Sequence, residues 1–288
     1  MAAPVHPPAH SWLPLVERAL TEDLGAGDVT STLTLPAGSR IEAVIEARQD
    51  LIVCGLWLAR EVFARVDASI EVSSECREGA RATGGEPLLR MAGPARGVLA
   101  AERTALNFLG RLCGVATLTR RFVEAVSGTG AKIVDTRKTV PGWRTLDKYA
   151  VAAGGGTNHR AGLYDAVLIK DNHLAAAGGV TAAVKAAREG APAHLWIQVE
   201  VESALQADEA LAAGADALLL DNRPEKELEA LVARFGERTV LEASGGITLD
   251  NVRQVAASGV HRISVGALTH SAPGADLALE VIGPGAPA

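Results

Sequence analysis

From about residue 131 onward the chain alternates strand-like and helix-like runs so regularly that few folds remain open to it. The strand candidates are KIVDTRKT (132–139), AVLIKDNH (166–173), LWIQVEVE (195–202), ALLLDN (217–222), TVLEASGG (239–246) and RISVGALTH (262–270). Helical patterns occupy 175–189, 203–213, 225–235 and 248–258. Strand, helix and strand in succession fold as a right-handed unit with the two strands parallel. The last four candidates start at 195, 217, 239 and 262, a spacing tight enough for a closed barrel. The competing arrangement is an open doubly wound sheet, which concentrates ligand residues at one switch point, whereas a barrel gathers every strand end into one mouth. Here each candidate ends in polar residues: Arg137-Lys138, Lys170-Asp171-Asn172-His173, Glu200 and Glu202, Asp221-Asn222, Glu242 with Ser244-Gly245-Gly246, and Ser264 with Gly266. The pattern predicts an α/β barrel, incomplete because six strands are found where a full barrel has about eight.

The first half reads as a separate α+β layer. A helix is expected over 12–24 with Ser11 in the capping position, and another over LWLAREVFARV. RIEAVIEAR, DLIVCG and SIEVSS alternate like half-buried strands. A long helical stretch covers about 100–127, with a break expected near Gly110 or Gly114. At 288 residues the chain can bury a full core, in one large domain or two smaller ones. A net charge of −6 argues against a general nucleic-acid or anionic-membrane binder, so any anion site must be local. No apolar run approaches the roughly 18 residues of a membrane span, and no secretory leader is expected. Cys54, Cys76 and Cys113 are odd in number and far apart, which reads as three reduced thiols in a cytoplasmic protein. The first ten residues and the closing PGAPA are expected to lack fixed structure.

The strand ends suggest chemistry. Gln198, Glu200 and Glu202 share a strand face, and Asp221 ends the next strand. Carboxylates on neighbouring strand ends suit Mg²⁺, which takes a few carboxylates plus water and substrate phosphate. Glu202 reads equally well as the acidic first turn of a helix. EASGGIT and SVGALT put small residues before helix starts on the last two strands, where exposed N–H groups can seat a phosphate. Arg137, Lys138, His159, Arg160 and Lys170 could be a solvated rim, the usual fate of such residues. Clustered at strand ends of an acidic chain, they instead suggest a bound small polyanion, with charge-assisted hydrogen bonds of roughly 1.5–3 kcal/mol each. No Walker A, dinucleotide-binding, HExxH or nucleophile-elbow motif is present, which disfavours ATPase, dehydrogenase and hydrolase chemistry.

Several strings carry a family resemblance. ERTALNFL (102–109), DTRKTVPGWR (135–144), GGGTNHR (154–160), VLIKDNH (167–173), EVE (200–202), LLLDN (218–222), EASGGIT and SVGALTHSAP are similar, in order, to the quinolinate phosphoribosyltransferases. The resemblance runs from about residue 12 to 283. It implies an N-terminal α/β open-faced sandwich (1–112, joined by 271–288) followed by an incomplete six-stranded TIM-like α/β barrel (113–270). It implies transfer of the phosphoribosyl group of 5-phosphoribosyl 1-diphosphate to quinolinate with decarboxylation, giving nicotinate mononucleotide, diphosphate and CO₂ in de novo NAD biosynthesis.

Carried onto this chain, the resemblance gives quinolinate to Arg103, Arg137, Lys138, His159, Arg160 and Lys170. Thr136, Glu200, Asp221, Ser244, Gly245, Gly246, Ser264 and Gly266 would meet the phosphoribosyl diphosphate, with Glu200 and Asp221 holding Mg²⁺. A homodimer or a hexamer of dimers is implied, Arg103 reaching over from the other subunit. Asn172 and His173 rank below Lys170, as supporting residues. Two rivals are a Schiff-base aldolase or decarboxylase working through Lys170, and a non-enzymatic binding protein of the same fold, such as a relative attached to molybdenum transport.

Overall fold

The computed structural model describes residues 4–285. Its strands are β1 (Arg40–Ala47), β2 (Leu51–Ile52), β3 (Glu71–Ser74), β4 (Arg81–Ala82), β5 (Pro87–Pro94), β6 (Lys132–Val134), β7 (Val167–Ile169), β8 (Ile197–Glu200), β9 (Ala217–Asp221), β10 (Val240–Ser244), β11 (Arg262–Ser264) and β12 (Leu277–Pro284). Two compact units emerge: 1–120 with 140–155 and 271–288, and 121–139 with 156–270. Helix Ala95–Ala125 runs across the expected 112/113 boundary without a break, and helix Arg144–Ala153 groups with the first unit.

In the first unit an antiparallel sheet runs in the order β12-β1-β5-β3. β1 does not alternate strictly as expected: Ala43, Val44 and Ile45 are buried in succession, with Ala47, while Glu42 stays exposed. One face carries Glu42, Glu71, Ser73 and Arg90 around a shallow cleft, as an open-faced sandwich should. Helix Leu56–Val66 buries Leu56, Leu58, Ala59, Val62 and Phe63. Its first turn is capped from a distance, the Glu78 carboxylate accepting from Gly55 N (2.9 Å) and Leu56 N (2.8 Å). Helix Leu13–Leu24 begins after Trp12, and Ser11 is not its cap: the Ser11 hydroxyl donates backwards to Pro8 O. β5, between β1 and β3, is absent from the expected strands because proline at both ends masks its alternation.

The break expected near Gly110 or Gly114 does not occur. These glycines let the 273–275 segment approach the helix: Ala275 N donates to Gly110 O at 2.8 Å. A Cβ on Gly114 would run into the Pro273 carbonyl oxygen. Of the termini expected to lack structure, 1–3 and 286–288 lie outside the described residues, and the rest is fixed. His6 stacks on Trp57 at 5.0 Å, Trp12 Nε1 donates to Pro7 O at 3.0 Å, and Pro284 pairs with Ile41 in the sheet.

The second unit is a six-stranded, all-parallel sheet in the order β6-β11-β10-β9-β8-β7. Each neighbour is the next strand in sequence, except where β11 returns to β6. That is the cyclic order of a barrel with one open seam, between β6 and β7. The sheet curves far enough for contacts across its interior. Arg262 at the start of β11 stacks on Trp196, just before β8, at 4.3 Å, although two strands separate them in the sheet. Outward residues such as Ile197, Val199, Leu218, Leu220, Leu241 and Ile263 are buried, whereas the inward set includes Gln198, Leu219, Glu242 and Ser264. A sheet covered by helices on both faces would be apolar on both. Gly178 and Gly179 at positive φ split the helix expected over 175–189 into Asp171–Ala177 and Val180–Gly190. Among the described residues no helix is long and apolar enough to cross a membrane.

Candidate active site

The residues following β6 form the first wall of the mouth. Lys138 N donates to Thr136 Oγ1 at 3.0 Å, and the Thr269 hydroxyl donates to Lys138 O at 2.7 Å. The stem of Lys138 lies beside Gly266 and His270, since a Cβ on Gly266 would meet Lys138 Cδ at 3.2 Å and His270 Nε2 at 3.1 Å. Arg137 and Lys138 are exposed.

GGGTNHR is stitched onto the free edge of β6. Thr157 bridges Val134 in parallel, Thr157 N donates to Ile133 O at 2.8 Å, and His159 N donates to the fully buried Asp135 Oδ1 at 2.8 Å. The His159 ring turns inward. Its Nδ1 accepts from Arg160 N at 2.7 Å, and its Nε2 lies 3.0 Å from Gln198 Oε1 and 3.5 Å from Glu242 Oε1. Arg160 extends toward β7, donating from Nη1 to Ala166 O at 3.3 Å. Burial, followed by the charge of nearby Arg137, lowers the pKa of Arg160, against an opposing effect of Asp165.

Lys170 follows β7 directly, and its Nζ pairs with Glu200 Oε2 at 2.9 Å across to the end of the neighbouring strand. The spacing had put Lys170 on the cationic side and Glu200 on the acidic side, yet they form one pair. His173 closes the first turn of helix Asp171–Ala177, its Nδ1 accepting from Lys170 N at 3.1 Å. Glu202 lies beyond β8, where Ser203 caps helix Ala204–Ala213; it does not share the Glu200 face as a strand residue.

Glu200 stands opposite Leu219 in the β8–β9 register, with Asp221 two residues further along the same face. Asp221 Oδ2 accepts from Asn222 Nδ2 at 2.7 Å. Among the described residues no cluster of three or more His, Cys, Asp or Glu could hold a metal ion. This donor set does not fit a caged resident ion. It does fit Mg²⁺ that arrives on a polyphosphate, with one or two carboxylates completing a shell of water and phosphate oxygens.

Beyond β10, Gly245 (φ 89°) and Gly246 (φ 62°) turn the chain, and a Cβ on Gly245 would strike the Asn222 side chain. The turn is clamped by Asn251, whose Nδ2 donates to Gly246 O at 2.9 Å and whose Oδ1 accepts from Thr248 N at 2.8 Å. The next helix starts only at Val252, so any anion seat here is made by turn N–H groups and not by a helix start. Ser244 and Gly245 line a cavity of about 360 Å³ with Asn222, Arg223 and Asn251. Ser264 is buried, its hydroxyl directed at Ala243 O at 3.4 Å, and Gly266 opens the short helix Ala267–His270. Arg103 is an exposed residue of helix Ala95–Ala125 in the other unit. Asp135, Gln198, Glu242, His270 and Asn251 were missed as partners. Strand parity could have turned Gln198 and Glu242 inward, but only the fold brings the His159 ring between them.

Comparison with known proteins agrees with this fold. The model of the quinolinate phosphoribosyl transferase N-terminal domain matches residues 28–113, and that of the C-terminal domain matches 115–280. A nicotinate-nucleotide pyrophosphorylase (carboxylating) of Mycobacterium leprae is 44% identical over 92% of this chain and 95% of its own length. A probable enzyme of that name from Bacillus subtilis is 41% identical over 93% and 92%. The solved structure of the nicotinate-nucleotide pyrophosphorylase of Francisella tularensis superposes with a TM-score of 0.93 at 36% identity, covering 96% of this chain and 98% of that one. With both domain models matched end to end around a six-stranded barrel, the chain belongs to the quinolinate phosphoribosyltransferase family.

Proposed function

We infer that this chain transfers the phosphoribosyl group of 5-phosphoribosyl 1-diphosphate to quinolinate and decarboxylates the product, yielding nicotinate mononucleotide, diphosphate and CO₂ for NAD biosynthesis. The observation that carries the reading is the gathering of Arg137, Lys138, Arg160 and Lys170 at the barrel mouth, where burial and then the nearby charge of Arg137 lower the pKa of Arg160. Cations gathered in an acidic chain call for an anion between them, and quinolinate brings two carboxylates beside its ring nitrogen.

In this reading Arg137, Lys138, Arg160 and Lys170 orient the two carboxylates and compensate their charge. Arg103 of a second copy completes the seat, in a homodimer or an assembly of dimers. His159 enters as a support of Arg160, because both ring nitrogens face protein groups. The ring nitrogen lone pair forms the bond to the ribose carbon as the bond to diphosphate breaks, and the electron pair leaves on diphosphate. Glu200 and Asp221 would hold Mg²⁺ brought with the diphosphate, which would supply positive charge against the leaving group. Lys170 keeps Glu200 in place by their 2.9 Å pair and so couples the two halves of the site. Thr136, the 244–246 turn, Ser264 and Gly266 frame the phosphoribosyl end. Once the nitrogen is quaternary, the adjacent C–CO₂ bond breaks, its electron pair stays on the ring carbon next to the positive nitrogen, and a proton from solvent replaces the carboxylate. Much of the acceleration comes from alignment. Three free thiols support a reducing, cytoplasmic setting.

Incubation with quinolinate, 5-phosphoribosyl 1-diphosphate and Mg²⁺ tests the reading. Nicotinate mononucleotide should accumulate, and nicotinate should not replace quinolinate. No product, or equal use of nicotinate, would overturn it.

A further inference from the structure

Glu242 is a buried charge in the barrel that the transfer chemistry leaves unused. It points inward from β10 with 1% exposure, and its Oε2 has no hydrogen-bond partner. Its Oε1 faces His159 Nε2 at 3.5 Å, while Gln198 Oε1 accepts at 3.0 Å from the same nitrogen. The other ring nitrogen settles the tautomer. Nδ1 accepts from Arg160 N at 2.7 Å, so the ring proton sits on Nε2, between the amide oxygen and the carboxylate. With the proton on Nδ1 instead, the Arg160 N–H would meet another N–H, and Glu242 would face a lone pair. Burying a carboxylate with incomplete partners is costly, and at this position the charge has one evident use.

We propose that Glu242, with Gln198, is a positioning residue for the dicarboxylate seat: it holds the His159 ring in its Nε2–H form, and His159 Nδ1 in turn fixes the backbone from which Arg160 reaches the mouth. The proposal rests on the reading of Arg160 as a quinolinate ligand. Asp135, just past β6, anchors the same segment from behind through His159 N, so residues 159 and 160 are held from the end of β6 and from β8 and β10. Removing Glu242 frees the ring to turn, loosens Arg160, and weakens one substrate far more than the other.

The test combines kinetics with spectroscopy. Glu242→Leu should raise the KM for quinolinate about tenfold or more and change that for 5-phosphoribosyl 1-diphosphate less than about twofold. Glu242→Gln should recover most of the loss, because its amide oxygen can still accept from Nε2–H. Since Glu242 acts through His159, the double variant Glu242→Leu/His159→Asn should be no worse than His159→Asn alone. Additive losses, or equal rises in both KM values, would overturn the proposal. Imidazole ¹⁵N spectra of histidine-labelled wild type need no substrate and no altered fold. The signal that vanishes in His159→Asn should show a protonated Nε2 and a bare Nδ1, and a protonated Nδ1 would refute the tautomer. If wild type fails to consume quinolinate, the functional reading falls, while the spectrum still decides the tautomer.

Discussion

At the scale of single residues, the mouth of the barrel shows how partners change the meaning of a side chain. Lys170 had every appearance of an independent cation, yet it shares its charge with Glu200 at 2.9 Å. A Schiff-base role for Lys170 would require breaking that pair first. The cysteines show the opposite, residues withdrawn from chemistry by burial. Desolvation pushes the Cys113 thiol up to about 12 and raises Cys54 well above its ordinary value; half-buried Cys76 reaches about 11. Since the thiolate is the nucleophile, all three stay protonated and slow at pH 8. Mass spectrometry after brief iodoacetamide treatment at pH 8 should find the native chain essentially unmodified and the denatured chain carrying three adducts. Rapid native labelling of Cys54 or Cys113 would contradict their burial. The types of residue at the mouth were legible in the sequence because strand ends announce themselves by polarity. Their pairings were not, because Lys170–Glu200 depends on which strands are neighbours and His159–Glu242 joins a loop to a strand that only the fold brings together.

Among the elements, the strands and helices with strong periodicity were the legible ones. Helix 225–235 and the cores of β8, β9 and β10 lie where their patterns put them. Glycine was the harder signal. Gly110 and Gly114 suggest a break in a long helix when only propensity is weighed. In the fold they are contact points, where the missing Cβ admits the carbonyls of Pro273 and Ala275. Gly114→Val should therefore destabilise the protein by about 1–3 kcal/mol through overpacking. Gly38→Ala meets nothing within 4 Å and should stay within about 0.5 kcal/mol. Denaturant midpoints at unchanged slope measure both, and equal effects would mean the approach of residues 273–275 carries no weight. β12 was equally hard to read: it is an exposed edge strand whose pairing with β1 is a return across more than 200 residues.

For the whole molecule, the alternating beat from residue 131 left a doubly wound sheet open, and the polar residues at every strand end pointed to the barrel that the cyclic strand order with one seam forms. What periodicity could not supply is Arg103. By pattern alone it is an exposed helix charge, and only the family resemblance gives it a substrate. The central claim is that the cationic mouth of one chain and Arg103 of another act on the same quinolinate. Subunit mixing of Arg103→Ala with Lys170→Ala tests this most directly, with exchange verified by differential tags. Each variant alone should be nearly inactive. In a mixed dimer one site holds both lesions and the other holds neither, so full exchange should restore about a quarter of wild-type turnover. Proven exchange with no recovered turnover would contradict the shared site.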